Sequence, residues 1–176
     1  MAERNEPRRA AFTYHQGWSS LTEADAEDIV AFWQRENALP AGMNPASRVG
    51  QVVMFARDES GEVAAVSTAM PQWPPTLGQP VYFYRSYVAP AFRTTRVVYN
   101  LLRRSVRLLE ADAEAHDWPC IGVLLELENE RFGQAGRMPI WPRIDFVYIG
   151  RSPRGLECRV HWFRRARLKD TPASGG

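Results

Sequence analysis

Residues 81–110 read VYFYRSYVAPAFRTTRVVYNLLRRSVRLLE. The run from Val81 to Val88 is apolar and aromatic at both alternating positions, as a strand buried in the middle of a sheet requires. Ala89-Pro90 ends it, the basic loop Arg93-Thr94-Thr95-Arg96 follows, and a helix starts at once. The spacing predicts that helix from about Thr95 to His116, with Val98, Leu101, Leu102, Ser105, Leu108 and Leu109 on its inner face. Arg103, Arg104 and Arg107 fall off that stripe. The first N–H groups of a helix lack intrahelical acceptors, and the macrodipole places about half a positive charge beside them. A strand, a tight basic loop and a helix N-terminus thus form an anion site, with phosphate or pyrophosphate as the expected guest.

Outward from this stretch the chain alternates short strands and helices. A strand is expected over Ala11 to Trp18, then a helix from an N-cap at Thr22 to about Glu36, with acids Glu23, Asp25 and Glu27 in its first turn. Asn44-Pro45-Ala46-Ser47 starts a short second helix. Strands Gln51–Arg57 and Glu62–Met70 flank the hairpin turn Asp58-Glu59-Ser60-Gly61. After the proline-rich loop 71–80 come the central strand and long helix, then a buried strand over Cys120 to Leu125. A short helix follows around Leu127–Ala135, and then strands Arg143–Ile149 and Glu157–Phe163 around the turn at 151–155. The order β-α-α-β-β-β-α-β-α-β-β predicts an α/β (α+β) domain over 11–168, between disordered tails at 1–10 and 169–176. Its mixed, mostly antiparallel sheet has about seven strands, one parallel pair across the 81–125 crossover, and helices on both faces.

Composition narrows the class. The 176 residues are 45% apolar with net charge +2, which suits a domain able to bury a core and excludes a global pull toward nucleic acid. No apolar run reaches the roughly 18–20 residues that span a bilayer, and the charged N-terminus lacks the apolar centre of a signal peptide. A cytoplasmic protein with no membrane contact is expected. Cys120 and Cys158 lie in expected strands without metal or disulfide spacing, and His15, His116 and His161 are scattered, so no metal is assigned. Of the 22 basic residues 21 are Arg, and the segment Arg151–Lys169 holds seven of the 22 against one acid, Glu157. With Trp162 and Phe163 interleaved, that segment is a weak candidate for nucleic-acid binding.

The central segment and the element order resemble the GCN5-related N-acetyltransferase (GNAT) superfamily. Members show a hydrophobic strand ending Val-x-Pro, then Arg/Gln-x-x-Gly-x-Gly/Ala, then a helix with paired leucines. Here Val88-Ala89-Pro90-Ala91-Phe92-Arg93 is the lead-in and Leu101-Leu102 the pair, while Asn129 and Asp145-Phe146 fall where the family has a coenzyme A-contacting Asn and a strand-opening Gly-Phe. The chain departs from the pattern at Arg96 and Val98, where the family has glycines that let pyrophosphate approach the backbone. It departs again at Arg137, where many members place a Tyr acid.

The resemblance implies an N-acyltransferase that moves an acetyl or other acyl group from acyl-CoA, its co-substrate, directly to an amine on a small molecule or protein. Tyr87, Val88, Arg93, Thr94, Thr95, Arg96, Val97, Val98 and Asn129 would bind the cofactor. Glu126, Glu128 and Tyr87 are the catalytic candidates, the carboxylates as general base and Tyr87 as general acid or cleft wall. Both carboxylates also read as solvated acids at a helix start. Arg93 and Arg96 either offset the missing glycines with charge-assisted bonds to phosphate or are surface arginines beside a closed site. The aromatic residues Trp73, Tyr82, Tyr84 and Trp141 either line an acceptor mouth or fill the core. A GNAT-fold protein that only binds or assembles is the competing reading. A homodimer through the C-terminal strands is the family's usual assembly.

Overall fold

A computed structural model describes residues 11–93, 96–128 and 138–170. Seven strands form one sheet: β1 (Thr13–Gln16), β2 (Val52–Arg57), β3 (Val63–Gln72), β4 (Val81–Val88), β5 (Gly122–Leu127), β6 (Val147–Arg151) and β7 (Glu157–Trp162). Among the described residues the helices are α1 (Glu23–Arg35), α2 (Pro45–Val49) and α3 (Val97–Ala115), with a 3-10 turn at Pro90–Phe92. The strand order is β1-β2-β3-β4-β5-β7-β6. Only β4 and β5 run parallel, joined by the α3 crossover. The expected mixed sheet with one parallel pair is therefore what the chain forms.

The helices take opposite faces. On one, Leu101, Leu102, Val106, Leu109 and Ala113 of α3 pack with Tyr82, Tyr84 and Val88 of β4 and Val123 and Leu125 of β5. On the other, Ile29, Phe32 and Trp33 of α1 pack with Val52, Phe55, Val63 and Val66. Alternation along β4 thus sends even positions toward α3 and odd positions toward α1. One polar contact crosses the α3 interface: the buried hydroxyls of Ser67 on β3 and Ser105 on α3 lie 3.0 Å apart.

Local chemistry sets the element ends. Thr22 caps α1: its Oγ1 accepts the Asp25 N–H at 3.1 Å and donates to Asp25 Oδ2 at 2.7 Å. Asn44 caps α2 by accepting the Ala46 N–H at 3.0 Å. In the β2–β3 hairpin, Asp58 Oδ1 accepts the N–H groups of Ser60 and Glu62 at 2.9 and 3.1 Å. These hydrogen bonds, that of the Ser60 hydroxyl foremost, hold the Asp58 carboxyl below its ordinary range. Strand β3 runs on through Pro71, because β2 pairs no further than Thr68 and no ladder bond asks for an N–H there.

Several boundaries differ from the sequence reading by one to four residues, and those of β5 and β6 have a clear physical reason. Strand β5 begins at Gly122 and continues through Glu126 and Leu127, which pair with Cys158 and Glu157 of β7. Polar residues extend it because β7 supports one edge while the other is open. Strand β6 begins only at Val147, because Arg143 and Asp145 adopt φ of 72° and 51°, which extended backbone cannot contain. The short helix expected around Leu127–Ala135 lies outside the described residues beyond Glu128. No helix among the described residues is long and apolar enough to cross a membrane.

Candidate functional site

Strands β4 and β5 pair only through Tyr82, Phe83 and Tyr84 with Val123, Leu124 and Leu125. Beyond that point β4 stays on β3 as far as Val88, and β5 stays on β7 as far as Leu127. Two strands held by their outer neighbours but not by each other leave a V-shaped opening in the sheet. Its backbone polarity follows from alternation. The Ala89 N–H donates to Ala64 C=O on the β3 side at 2.9 Å. With no register shift along β3·β4, the N–H groups of Arg85 and Tyr87 face β3, and those of Ser86 and Val88 face the opening.

The opening is the mouth of a cleft of about 470 Å³. On the α3 face its walls are mostly apolar: Tyr84, Val98, Leu102, Leu125 and Trp141. On the α1 face they are aromatic and charged, with Trp33, Arg48, Thr68, Arg85, Tyr87, Glu126 and Glu128. One cleft through the sheet therefore joins an apolar half to a polar half.

The sequence candidates fall in three groups. Tyr87, Val98, Glu126 and Glu128 line the cleft. Val88 supplies an inward N–H, as derived above. Arg93 is folded back onto β4: its Nε donates to Val88 C=O at 3.2 Å and its guanidinium lies over the Tyr87 ring. Arg96 is exposed at the α3 N-cap, and Val97 is buried in the core beside it. Thr94, Thr95 and Asn129 lie outside the described residues, as does Arg137.

The N-terminus of α3 differs from the other two. Its N-cap residue, Arg96, makes no side-chain cap bond and its first turn holds no acid, whereas α1 has a Thr22 cap with acids in its first turn and α2 has its Asn44 cap. An anion placed there meets the helix dipole without a competing carboxylate from the first turn.

Electrostatics distinguish the two carboxylates. Arg154, from the β6–β7 hairpin, reaches Glu126 Oε2 at 3.1 Å and Glu128 Oε1 at 3.4 Å. The Glu126 side chain is 17% exposed and that of Glu128 65%, so Glu126 is the one turned into the cleft wall. Glu126 does not sit at a helix start, as the sequence allowed, because it lies within β5. Tyr87 donates its hydroxyl to Glu36 C=O at 3.2 Å, tying β4 to the end of α1. The Tyr84 hydroxyl is buried without a hydrogen-bond partner among the described residues. Burial pushes it up to about 12, against the opposing influence of Ser105, Ser67 and Ser86 around it.

Of the four aromatics weighed as an acceptor mouth, Tyr84 and Trp141 line the cleft. Tyr82 is core, packed edge-on against Trp18, and Trp73 is an exposed residue of the loop before β4. Trp33, Arg48, Thr68 and Arg85 were not singled out from sequence. For Arg85 a signal exists: it is the one charged residue inside VYFYRSYV, and a charge in a strand packed on both faces must meet an opening. Among the described residues, no three His, Cys, Asp or Glu side chains are grouped to hold a metal ion.

No family model matches the sequence, and no curated protein matches it. Solved structures do resemble it. A GCN5-related N-acetyltransferase from Kribbella flavida superposes with a TM-score of 0.58 at 16% identity, over 86% of this chain and 98% of that one. A Salmonella typhimurium structure with its cofactor acetyl-CoA gives 0.59 at 14%, over 92% and 99%. The Escherichia coli ribosomal-protein-S18-alanine N-acetyltransferase gives 0.53 at 15%, over 89% and 97%. The fold is that of the GNAT superfamily.

Proposed function

We propose that this chain is an N-acyltransferase that moves an acetyl or other acyl group from acyl-CoA directly to an amine. The observation that carries the reading is the parting of β4 from β5, which turns the Ser86 and Val88 N–H groups into an opening one loop away from the acid-free start of α3. Pantetheine lies along β4 as an added strand, taking one of those two N–H groups and leaving the other to the thioester carbonyl. The pyrophosphate sits at the α3 N-terminus with Arg96 beside it. Thr94, Thr95 and Asn129 belong to the same cofactor proposal. The acyl group reaches the apolar half of the cleft, and the amine enters from the polar half.

In the transfer step the amine nitrogen bonds to the thioester carbonyl carbon, and the oxygen takes up negative charge that an inward N–H of β4 stabilises. The C–S bond then breaks, and the thiolate leaves and takes up a proton. Glu126, the less exposed carboxylate, accepts the amine proton through a water. Tyr87 is a wall of the acceptor half, since its hydroxyl hydrogen is engaged by Glu36. Arg93 holds Val88 C=O in place, and so steadies the strand edge on which pantetheine lies.

The competing reading, a chain that binds acyl-CoA without turning it over, has one observation in its favour: Arg154 engages both carboxylates. Nucleic-acid binding has less. Arg159 of the basic segment is 2% exposed, and Arg164 and Arg165 pair with Asp145 and Glu114.

Thermal unfolding with acetyl-CoA tests the reading. A ligand at about 100 times its Kd stabilises by roughly 2.7 kcal/mol, several degrees for a domain of this size. No shift at millimolar acetyl-CoA contradicts the proposal. Arg96→Gly then separates two roles: weaker binding marks Arg96 as a phosphate contact, and tighter binding marks it as an obstruction. A shift together with CoA thiol release in the presence of an amine establishes transfer over silent binding.

A further inference from the structure

The polar half of the cleft holds two arginines that the transfer step does not use. Arg85 projects from β4 on the α1 face, and Arg48 approaches from the end of α2; both line the cleft beside Trp33, Asn37 and Thr68. Arg48 is anchored by neutral groups only, donating from Nη1 to Gln51 Oε1 at 3.0 Å and from Nε to Met43 Sδ at 3.1 Å. Arg85 lies over the Phe83 ring, 5.0 Å from its centroid, and no described carboxylate pairs with either guanidinium. The two acids of the same cleft are already engaged by Arg154. Partial burial, and next the like charge of Arg85, push the Arg48 guanidinium below its ordinary value.

Two neighbouring guanidiniums that repel each other in a half-buried cleft are stabilised by an anion that bridges them, and a forked cation suits a carboxylate. Resting on the acyltransferase reading, we infer that the acceptor is a small amine carrying its own carboxylate, which Arg48 and Arg85 hold while the amine faces Glu126. The carboxylate then fixes the amine at the mouth of the β4–β5 opening. The polar half becomes a specificity site for amino-acid-like acceptors over simple amines.

The test uses the protein saturated with CoA and products of the inferred class. Thermal stability is measured with N-acetyl derivatives of the common amino acids, each against its own carboxamide at matched ionic strength. At least one carboxylate stabilises the CoA complex while its amide, at the same concentration, does not. In Arg48→Gln and in Arg85→Gln that affinity falls tenfold or more, Arg85→Lys recovers part of it, and CoA affinity stays within twofold of wild type. The inference is overturned if no carboxylate is preferred to its amide, or if the preference survives both Gln variants. It is equally overturned if the variants lose CoA affinity instead, since the arginines would then serve the cofactor's phosphates. Failure of the wild type to bind CoA strikes the acyltransferase reading itself; CoA binding without carboxylate preference strikes only the present inference. The CoA shift of each variant shows that it is folded.

Discussion

At the scale of single residues, function concentrates where β4 alternates. Tyr84 and Ser86 point one way and Arg85 and Tyr87 the other, so four consecutive positions serve both halves of the cleft. In the proposed transfer step the chemistry turns on Glu126. Glu126→Gln lowers the transfer rate by about 10²–10⁴-fold, the range a general base contributes, and leaves the acetyl-CoA thermal shift unchanged. An unchanged steady-state rate with the best amine removes Glu126 from that role. Asp145 illustrates a substitution the fold absorbs. It holds φ of 51° where glycine would be at ease, so Asp145→Gly stays within about 1 kcal/mol of wild type, while Asp145→Val costs roughly 1–3 kcal/mol in denaturant unfolding. Phe146 beside it is fully buried just before β6. Arg48 was not legible: nothing in Pro45-Ala46-Ser47-Arg48 says which strand the helix will face.

At the scale of elements, the caps, hairpin turn and central strand were readable because each rests on local chemistry. Thr22, Asn44 and Asp58–Gly61 act within a few residues of themselves. The ends of β5 and β6 were not, since they depend on which strand arrives alongside. Gly122 shows how close that approach is: a Cβ there would meet the His161 carbonyl oxygen of β7 at 2.6 Å. Gly122→Ala therefore forces the β5–β7 backbones apart and destabilises by about 1–3 kcal/mol, read as a lower midpoint in urea. A second contact between elements is pH-dependent. Arg57 of β2 reaches Asp25 and Asp28 of α1 at 2.8 and 2.7 Å. The Thr22 hydroxyl, and after it Arg57, holds the Asp25 carboxyl below its ordinary value. A depressed folded value means the contribution is complete above the unfolded value of about 4 and is lost as pH falls through the folded one. Asp25→Asn should accordingly flatten the acid limb of stability below pH 4 and leave the slope above pH 6 unaltered.

At the scale of the whole molecule, the fold and the site are one construction. A sheet with a single parallel pair needs a crossover, the crossover helix begins beside the strand end, and strands anchored to different neighbours part at that point. The order of elements carried this much of the site's architecture in the sequence. What it could not carry was the wall opposite β4, assembled from α1, α2 and β5 segments that lie far apart along the chain. The central claim is that acyl-CoA occupies the parting of β4 and β5 and pairs with the inward backbone of β4. Residue-resolved amide hydrogen exchange, with and without acetyl-CoA, measures this most directly. The account predicts that the Ser86 and Val88 N–H groups exchange more slowly in the complex, while those of β1 and of the β2–β3 hairpin keep their rates. Binding of acetyl-CoA without protection at Ser86 and Val88 would contradict it.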